Sequence, residues 1–281
     1  MTTVSEWIDK SPYTEALGIV AKSVEESKVA LALPFRETNS NPGGALHGGV
    51  AASLSVVGAQ AVARGALGEG SGPWHTVAFQ INYLAAAISE GVEAEARLLR
   101  RGKELCFVEV SVKTEEGKPI ADAAVAVRGR QGRPPIETAL SKGDDGVEDP
   151  GVIGGRIGAV SFIGNRGISV ELMLDGRSRL RMPWKQENGD LDGGTHEGAA
   201  LALLDTAGAM AAWSVTGPGR FKASTPTIQA HVLAPPPAHD LVAYATVTQR
   251  DEEIFWTEVE VASAVDGRVY VRGMEVYRIV T

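Results

Sequence analysis

Asp205 is the one charged side chain between Gly198 and Trp213, in a run that reads GAALALLDTAGAMAAW. A carboxylate among alanines and leucines loses much of its hydration, which costs several kcal/mol unless it is paired or its pKa rises. An acid poised in this way can take a proton from water or attack a carbonyl itself. Taken alone, Asp205 could equally be a buried acid satisfied by an indole or a backbone amide. Its surroundings sharpen the reading. The stretch HEGAALALLDTAGAMAAW from His196 repeats an earlier HGGVAASLSVVGAQAVA from His47, the two histidines lie 149 positions apart, and at that offset Asp205 faces Val56. One copy carries the acid and the other does not.

The offset holds well beyond the helix, matching Pro34 with Pro183, Gly44 with Gly193, Gln80 with Gln229, Arg101 with Arg250 and Glu109 with Glu258. One extra residue then aligns Gly117 with Gly267 and Arg128 with Arg278. Chance would not keep one spacing across so many polar positions, so the chain is a tandem duplication. A length of 281 residues fits two domains. The expected limits are residues 1–130 for the first, 131–158 for a linker rich in Gly, Pro and Asp, and 159–281 for the second.

Helices are predicted over Val50 to Ala63 and Ala199 to Trp213, apolar on nearly every face and therefore surrounded by protein. Each follows a Gly-rich loop. Strands are predicted at Lys28 to Pro34, His75 to Leu84, Gly91 to Arg100, Leu105 to Thr114 and Pro119 to Arg128. The second half repeats them at Ile168 to Leu174, Ser178 to Pro183, Thr225 to Leu233, Leu241 to Gln249, Ile254 to Ala264 and Arg268 to Ile279. One buried helix and about five strands per half give an α+β fold, an antiparallel sheet curled around its helix.

Composition narrows the function. With 44% hydrophobic and 22% charged residues and a formal charge of −8, the chain reads as a globular protein without the basic surface that nucleic acids require. No apolar run reads as long enough to span a bilayer and the start lacks a signal-peptide pattern, so a cytoplasmic location is expected. Cys106 is the only cysteine and reads as a small buried apolar residue. His75, His231 and His239 have no metal-ligand spacing, so no metal is expected. Two basic clusters, Arg97, Arg100, Arg101 and Lys103, and Arg128, Arg130 and Arg133, read as solvated strand ends or as a phosphate-holding cluster.

With NPGGALHGGVAASL from Asn41, NYLAAA from Asn82 and RGKELCFVEVSVKTEEGKPIADA from Arg101, the first half resembles the hotdog-fold acyl-CoA thioesterases, in particular the phenylacetyl-CoA thioesterase-like branch. The second half matches more loosely through GGTHEGAALALLDTAGA. The resemblance implies two tandem hotdog domains and an active site between them, one half giving the Asn and His-Gly-Gly loop and the other the helix acid. Nine residues of helix rise about 13 Å, so Asp205 is too far from its own loop and reaches that of an antiparallel neighbour. The expected composite site therefore joins Asn41, His47 and Gly48 to Asp205, with Gly49 against the substrate.

The Gly48 amide, at a helix start, suits a developing oxyanion. Asn41 would orient the water or the acid, and His47 would position the loop or polarise the thioester carbonyl. The reciprocal site has Asp190 for the asparagine, Glu197 for the first glycine and Val56 for the acid, and is expected to be catalytically degenerate. Glu197 reads as a helix cap or as a displaced acid. A serine or threonine implied near the acid is missing from Ala85 and Ala234. The function that follows is acyl-CoA thioester hydrolysis without a cofactor, coenzyme A entering with the substrate. The alternative is a non-catalytic acyl-CoA binding module. A homodimer of double-hotdog chains is expected, with no membrane insertion.

Overall fold

The computed structural model describes residues 2–144 and 146–281, apart from the Glu69 side chain. The first half runs α1 (Val4–Lys10), α2 (Pro12–Leu17), β1 (Val20–Val24), β2 (Lys28–Leu33), α3 (Gly48–Leu67), β3 (Trp74–Tyr83), β4 (Val92–Arg101), β5 (Leu105–Thr114) and β6 (Pro119–Gly129). The second half follows as α4 (Gly151–Gly154), α5 (Ser161–Arg166), β7 (Ser169–Leu174), β8 (Arg177–Met182), α6 (Glu197–Thr216), β9 (Lys222–Val232), β10 (Leu241–Arg250), β11 (Ile254–Ser263) and β12 (Val269–Val280).

All twelve strands form one antiparallel sheet in the order β1-β2-β4-β5-β6-β3-β9-β12-β11-β10-β8-β7. The order is a palindrome of the repeat. At its centre β3 pairs with β9, and Gln80 lies opposite Gln229, its own counterpart at the repeat offset. Two copies of one strand, paired antiparallel and in register, place a local two-fold axis between these glutamines. Each half is thus a hotdog, an antiparallel sheet around a long central helix, and the chain is a tandem double hotdog.

Alternation drives the wrapping. Along β5, Cys106, Val108, Val110, Val112 and Thr114 point into the core, while Phe107, Glu109 and Lys113 point outward. The facing helices α3 and α6 are buried on almost every side. Their small residues let them pack antiparallel and very close: a Cβ on Gly49 would come within 2.6 Å of the Ala202 Cβ, and one on Gly198 within 2.8 Å of the Ser53 Oγ. Both helices are 20 residues long and apolar enough by composition to cross a membrane, which corrects the sequence expectation that no run is long enough. About 89% and 83% of these segments are buried inside the protein, because the sheet supplies the apolar surroundings.

Each helix begins two residues earlier than predicted. His47 and His196 occupy the N-caps, and the Nδ1 of each accepts from the amide two positions on, Gly49 at 3.0 Å and Gly198 at 2.9 Å. The short helices α1, α2 and α5 and the edge strand β1 were not anticipated, being too brief for periodicity to register. They prove important, because α2 lays Tyr13 against His196 and α5 lays Phe162 against His47, at ring distances of 4.9 and 4.5 Å. The Gly/Pro/Asp-rich segment after β6 is pinned to the second half, with Leu140 bridged to Arg268, Asp149 bridged to Leu172, and Arg179 Nη1 2.6 Å from Asp144 Oδ1.

Candidate active site

The antiparallel packing of α3 and α6 brings the middle of α6 to the first turn of α3. A Cβ on Gly48 would lie 3.0 Å from Asp205 Oδ2, and His47 Nδ1 lies 3.5 Å from the same oxygen. Asp205 is 4% exposed. Burial pushes its pKa up to about 6, against the opposing pull of the Thr225 hydroxyl and the Gly49 amide. The packing thus brings His47, Gly48 and Asp205 together across the two halves.

His47 is neutral. Burial moves its pKa down to about 4. Since Nδ1 accepts the Gly49 amide, the ring proton sits on Nε2 and the 3.5 Å approach to Asp205 is a contact between two acceptors, not an ion pair. Its visible task is to cap α3 beneath Phe162. Gly49 serves the helix interface, its amide engaged by His47 and its Cα against Ala202. Asn41 opens the turn that closes with its amide donating to Ala45 O at 2.7 Å. Its side chain makes no hydrogen bond to His47 or Asp205, so it is not joined to the cluster.

Three residues complete the site. The Thr225 Oγ1 lies 3.0 Å from Asp205 Oδ1 and 3.1 Å from Glu275 Oε1. Tyr83 donates its hydroxyl to Gly48 O at 3.0 Å. Glu275 is fully buried, its pKa raised well above the ordinary carboxylate range by burial and then by Asp205. A threonine hydroxyl has one proton to give, so two ionised carboxylates cannot both be satisfied by it. Burial and the neighbouring Asp205 favour the protonated form of Glu275, which leaves the Thr225 proton for the Asp205 carboxylate. Gly208 lies directly beneath Glu275 and has no side chain to displace it.

Two of these three missed residues, Glu275 and Thr225, had a signal. Glu275 faces Val125 at the shifted repeat offset, the same acid-for-valine asymmetry that marks Asp205, and Thr225 has its counterpart in Thr76. The hydroxyl sought at Ala234 is supplied instead from the other end of β9.

The fold and the buried cluster at the helix N-terminus define a double-hotdog protein. The model of the acyl-CoA thioesterase N-terminal domain matches residues 36–129. A Halobacterium salinarum protein described as an esterase is 35% identical over 113 residues, covering 39% of this chain and 72% of that protein. The chain belongs to the hotdog-fold thioesterase family of thioester hydrolases. Among solved structures it is similar over its whole length to a thioesterase II from Thermobifida fusca, at TM-score 0.66 and 17% identity, covering 96% and 97% of the two chains. An acyl-CoA thioesterase II from Mycobacterium marinum superposes at TM-score 0.66 and 12% identity, over 95% and 96%. These two likenesses establish the double-hotdog architecture. Among the described residues, no cluster of three or more His, Cys, Asp or Glu could hold a metal ion.

Proposed function

We propose that the chain hydrolyses an acyl- or aryl-CoA thioester at one composite site, where Asp205 of the second half faces the Gly48 end of α3 in the first. The observation that carries this reading is a buried carboxylate, pKa about 6, hydrogen-bonded by Thr225 and set against the first turn of α3 at Gly48. A base with that pKa is ionised at neutral pH yet retains affinity for a proton. Asp205 takes a proton from water as the water oxygen attacks the carbonyl carbon. The Gly48 amide, with no intrahelical acceptor, receives the oxyanion, aided by the dipole of α3. The tetrahedral intermediate expels the thiolate, which takes the proton, leaving a free acid and coenzyme A. Asn41, 41–45 turn included, then acts by shaping the loop, and His47 by holding the N-terminus.

The reciprocal location is degenerate as a copy of this site, because Val56 stands where the helix acid would be. In this reading coenzyme A arrives as part of the substrate, no separate cofactor takes part, and the protein acts in the cytoplasm as a homodimer, which sedimentation would test. The defining experiment is release of CoA thiol from short, medium, long and aryl acyl-CoAs by the wild type and Asp205→Asn. Turnover abolished in the variant supports the enzyme. Tight ester binding without turnover in the wild type leaves only a binding module.

A further inference from the structure

The local two-fold relates the Asp205 site to a second place between the same helices. There Val56 replaces Asp205, Thr76 answers Thr225, and His196 caps α6 as His47 caps α3. The missing acid is supplied from the opposite helix. Glu197, the first residue of α6, sends its carboxylate across to α3 and β3, where Gln60 Nε2 donates to Oε2 at 2.7 Å and the Thr76 amide donates to the same oxygen at 3.1 Å. Gln60 lies one turn beyond Val56 on α3. Glu197 is 5% exposed against 4% for Asp205, so the two acids are equally enclosed.

Farther along the two helices, the residues at matching repeat positions differ in chemistry. Two turns beyond the Asp205 position α6 presents Trp213, which bonds Tyr277 and stacks on Phe221. The repeat counterpart on α3 is Arg64. Its guanidinium lies 3.9 Å from the Trp7 ring and 4.4 Å from the Trp74 ring, in the wall of a cavity of about 250 Å³ that these residues share with Asp192. Arg64 Nη2 reaches Gln60 Oε1 at 3.4 Å, so the cavity wall is one hydrogen bond from Gln60 and two from Glu197. One edge of the guanidinium pairs with Asp192, a side chain 44% exposed, while Nε is buried without an acceptor. An orphaned buried donor calls for a ligand or a reason, and a carboxylate fits the guanidinium fork.

We propose that Glu197, Gln60 and Thr76 form a second thioester-hydrolysing centre taking an acyl chain that ends in a carboxylate, its far end directed to Arg64 at the Trp7–Arg64–Trp74 cavity. The proposal rests on the thioesterase reading of the Asp205 site. Glu197 takes a proton from water while the water oxygen bonds to the thioester carbonyl carbon, and the Glu197 amide, first of α6, receives the oxyanion. The C–S bond breaks, and the thiolate leaves with the proton. Gln60 and Thr76 orient the carboxylate, and Arg64 holds the far end of the acyl chain. Burial raises the Glu197 pKa to about 7, opposed by Thr76 and Gln60 and reinforced by Asp190.

The test uses CoA thiol release from butyryl-CoA and glutaryl-CoA. In Asp205→Asn, butyryl-CoA turnover is expected to fall at least a hundredfold while glutaryl-CoA turnover stays within about threefold of wild type. Adding Glu197→Gln removes the remainder, and adding Arg64→Met instead raises KM for glutaryl-CoA about tenfold with kcat little changed. The single variant also needs no further substitution for a second readout: its residual glutaryl-CoA turnover rises with a midpoint near pH 7. Loss of both activities in Asp205→Asn, from a wild type that hydrolyses both, overturns the second centre and leaves the first intact. Residual turnover with no midpoint near pH 7, or unaffected by Glu197→Gln in a chain with a normal melting curve, also overturns it. A wild type that hydrolyses neither ester defeats the thioesterase reading, and the second centre with it.

Discussion

Replacing Thr225 by valine keeps a β-branched side chain and removes the hydroxyl that lies 3.0 Å from Asp205 Oδ1. A hydrogen bond to a charged group contributes about 1.5 to 3 kcal/mol, and one pKa unit corresponds to about 1.4 kcal/mol. Loss of the bond should therefore raise the Asp205 pKa by about one to two units. From the starting value of about 6, the acid would move to between about 7 and about 8. At pH 7 its ionised fraction falls from about nine tenths to between about a half and a tenth, and kcat/KM falls about twofold to tenfold, if ionised Asp205 is the base. Activity should recover as the pH is raised toward 9. The assay is the pH profile of kcat/KM for CoA release from a neutral acyl-CoA, wild type beside Thr225→Val. A variant whose acid-limb midpoint stays at the wild-type pH would refute the assignment of Thr225 as the group that tunes Asp205.

Asp205→Asn should lower kcat by about a hundredfold to ten-thousandfold, while its melting temperature at pH 8 matches or exceeds wild type. A carboxylate whose folded pKa is raised from 3.8 to about 6 opposes folding once ionised, by about 3 kcal/mol above pH 6, and the penalty disappears as pH falls through 6 toward 3.8. Gly208→Ala pushes a methyl into Glu275 and to within 2.8 Å of the Thr257 Oγ1, so thermal unfolding should show a loss of about 1 to 3 kcal/mol. Gly49→Ala meets the Ala202 Cβ at 2.6 Å and should both lower the melting temperature and reduce turnover, since it wedges α3 from α6. In single-turnover hydrolysis in oxygen-18 water, label should enter the product acid on the first cycle and leave Asp205 unlabelled, whereas label in Asp205 would indicate an anhydride route.

Much of the site was legible because duplication makes a sequence its own comparison. The Asp205–Val56 asymmetry and the His47-Gly48-Gly49 loop were visible in the chain, and the rise of a helix was enough to send the acid to the other half's loop. Glu275 and Thr225 were passed over although the same offset marks them, because both lie in strands where a single polar residue reads as an outward-facing position. Asn41 was expected to orient the water or the acid; in the structure its amide closes the 41–45 turn and its side chain makes no hydrogen bond to Asp205.

By itself, the sequence determined the two repeats, the order of their main strands and the burial of both central helices, since apolar period and repeat spacing are properties of the chain. Only the tertiary structure decided which polar groups meet. Thr225, Glu275 and Asp205 are separated along the chain and join because β9 and β12 pair under α6. Glu197 reaches Gln60 and Thr76 because Gly49 and Gly198 let the helices close on one another. Whether a buried carboxylate is ionised depends on the few atoms within hydrogen-bonding distance of it, and those distances are set by packing.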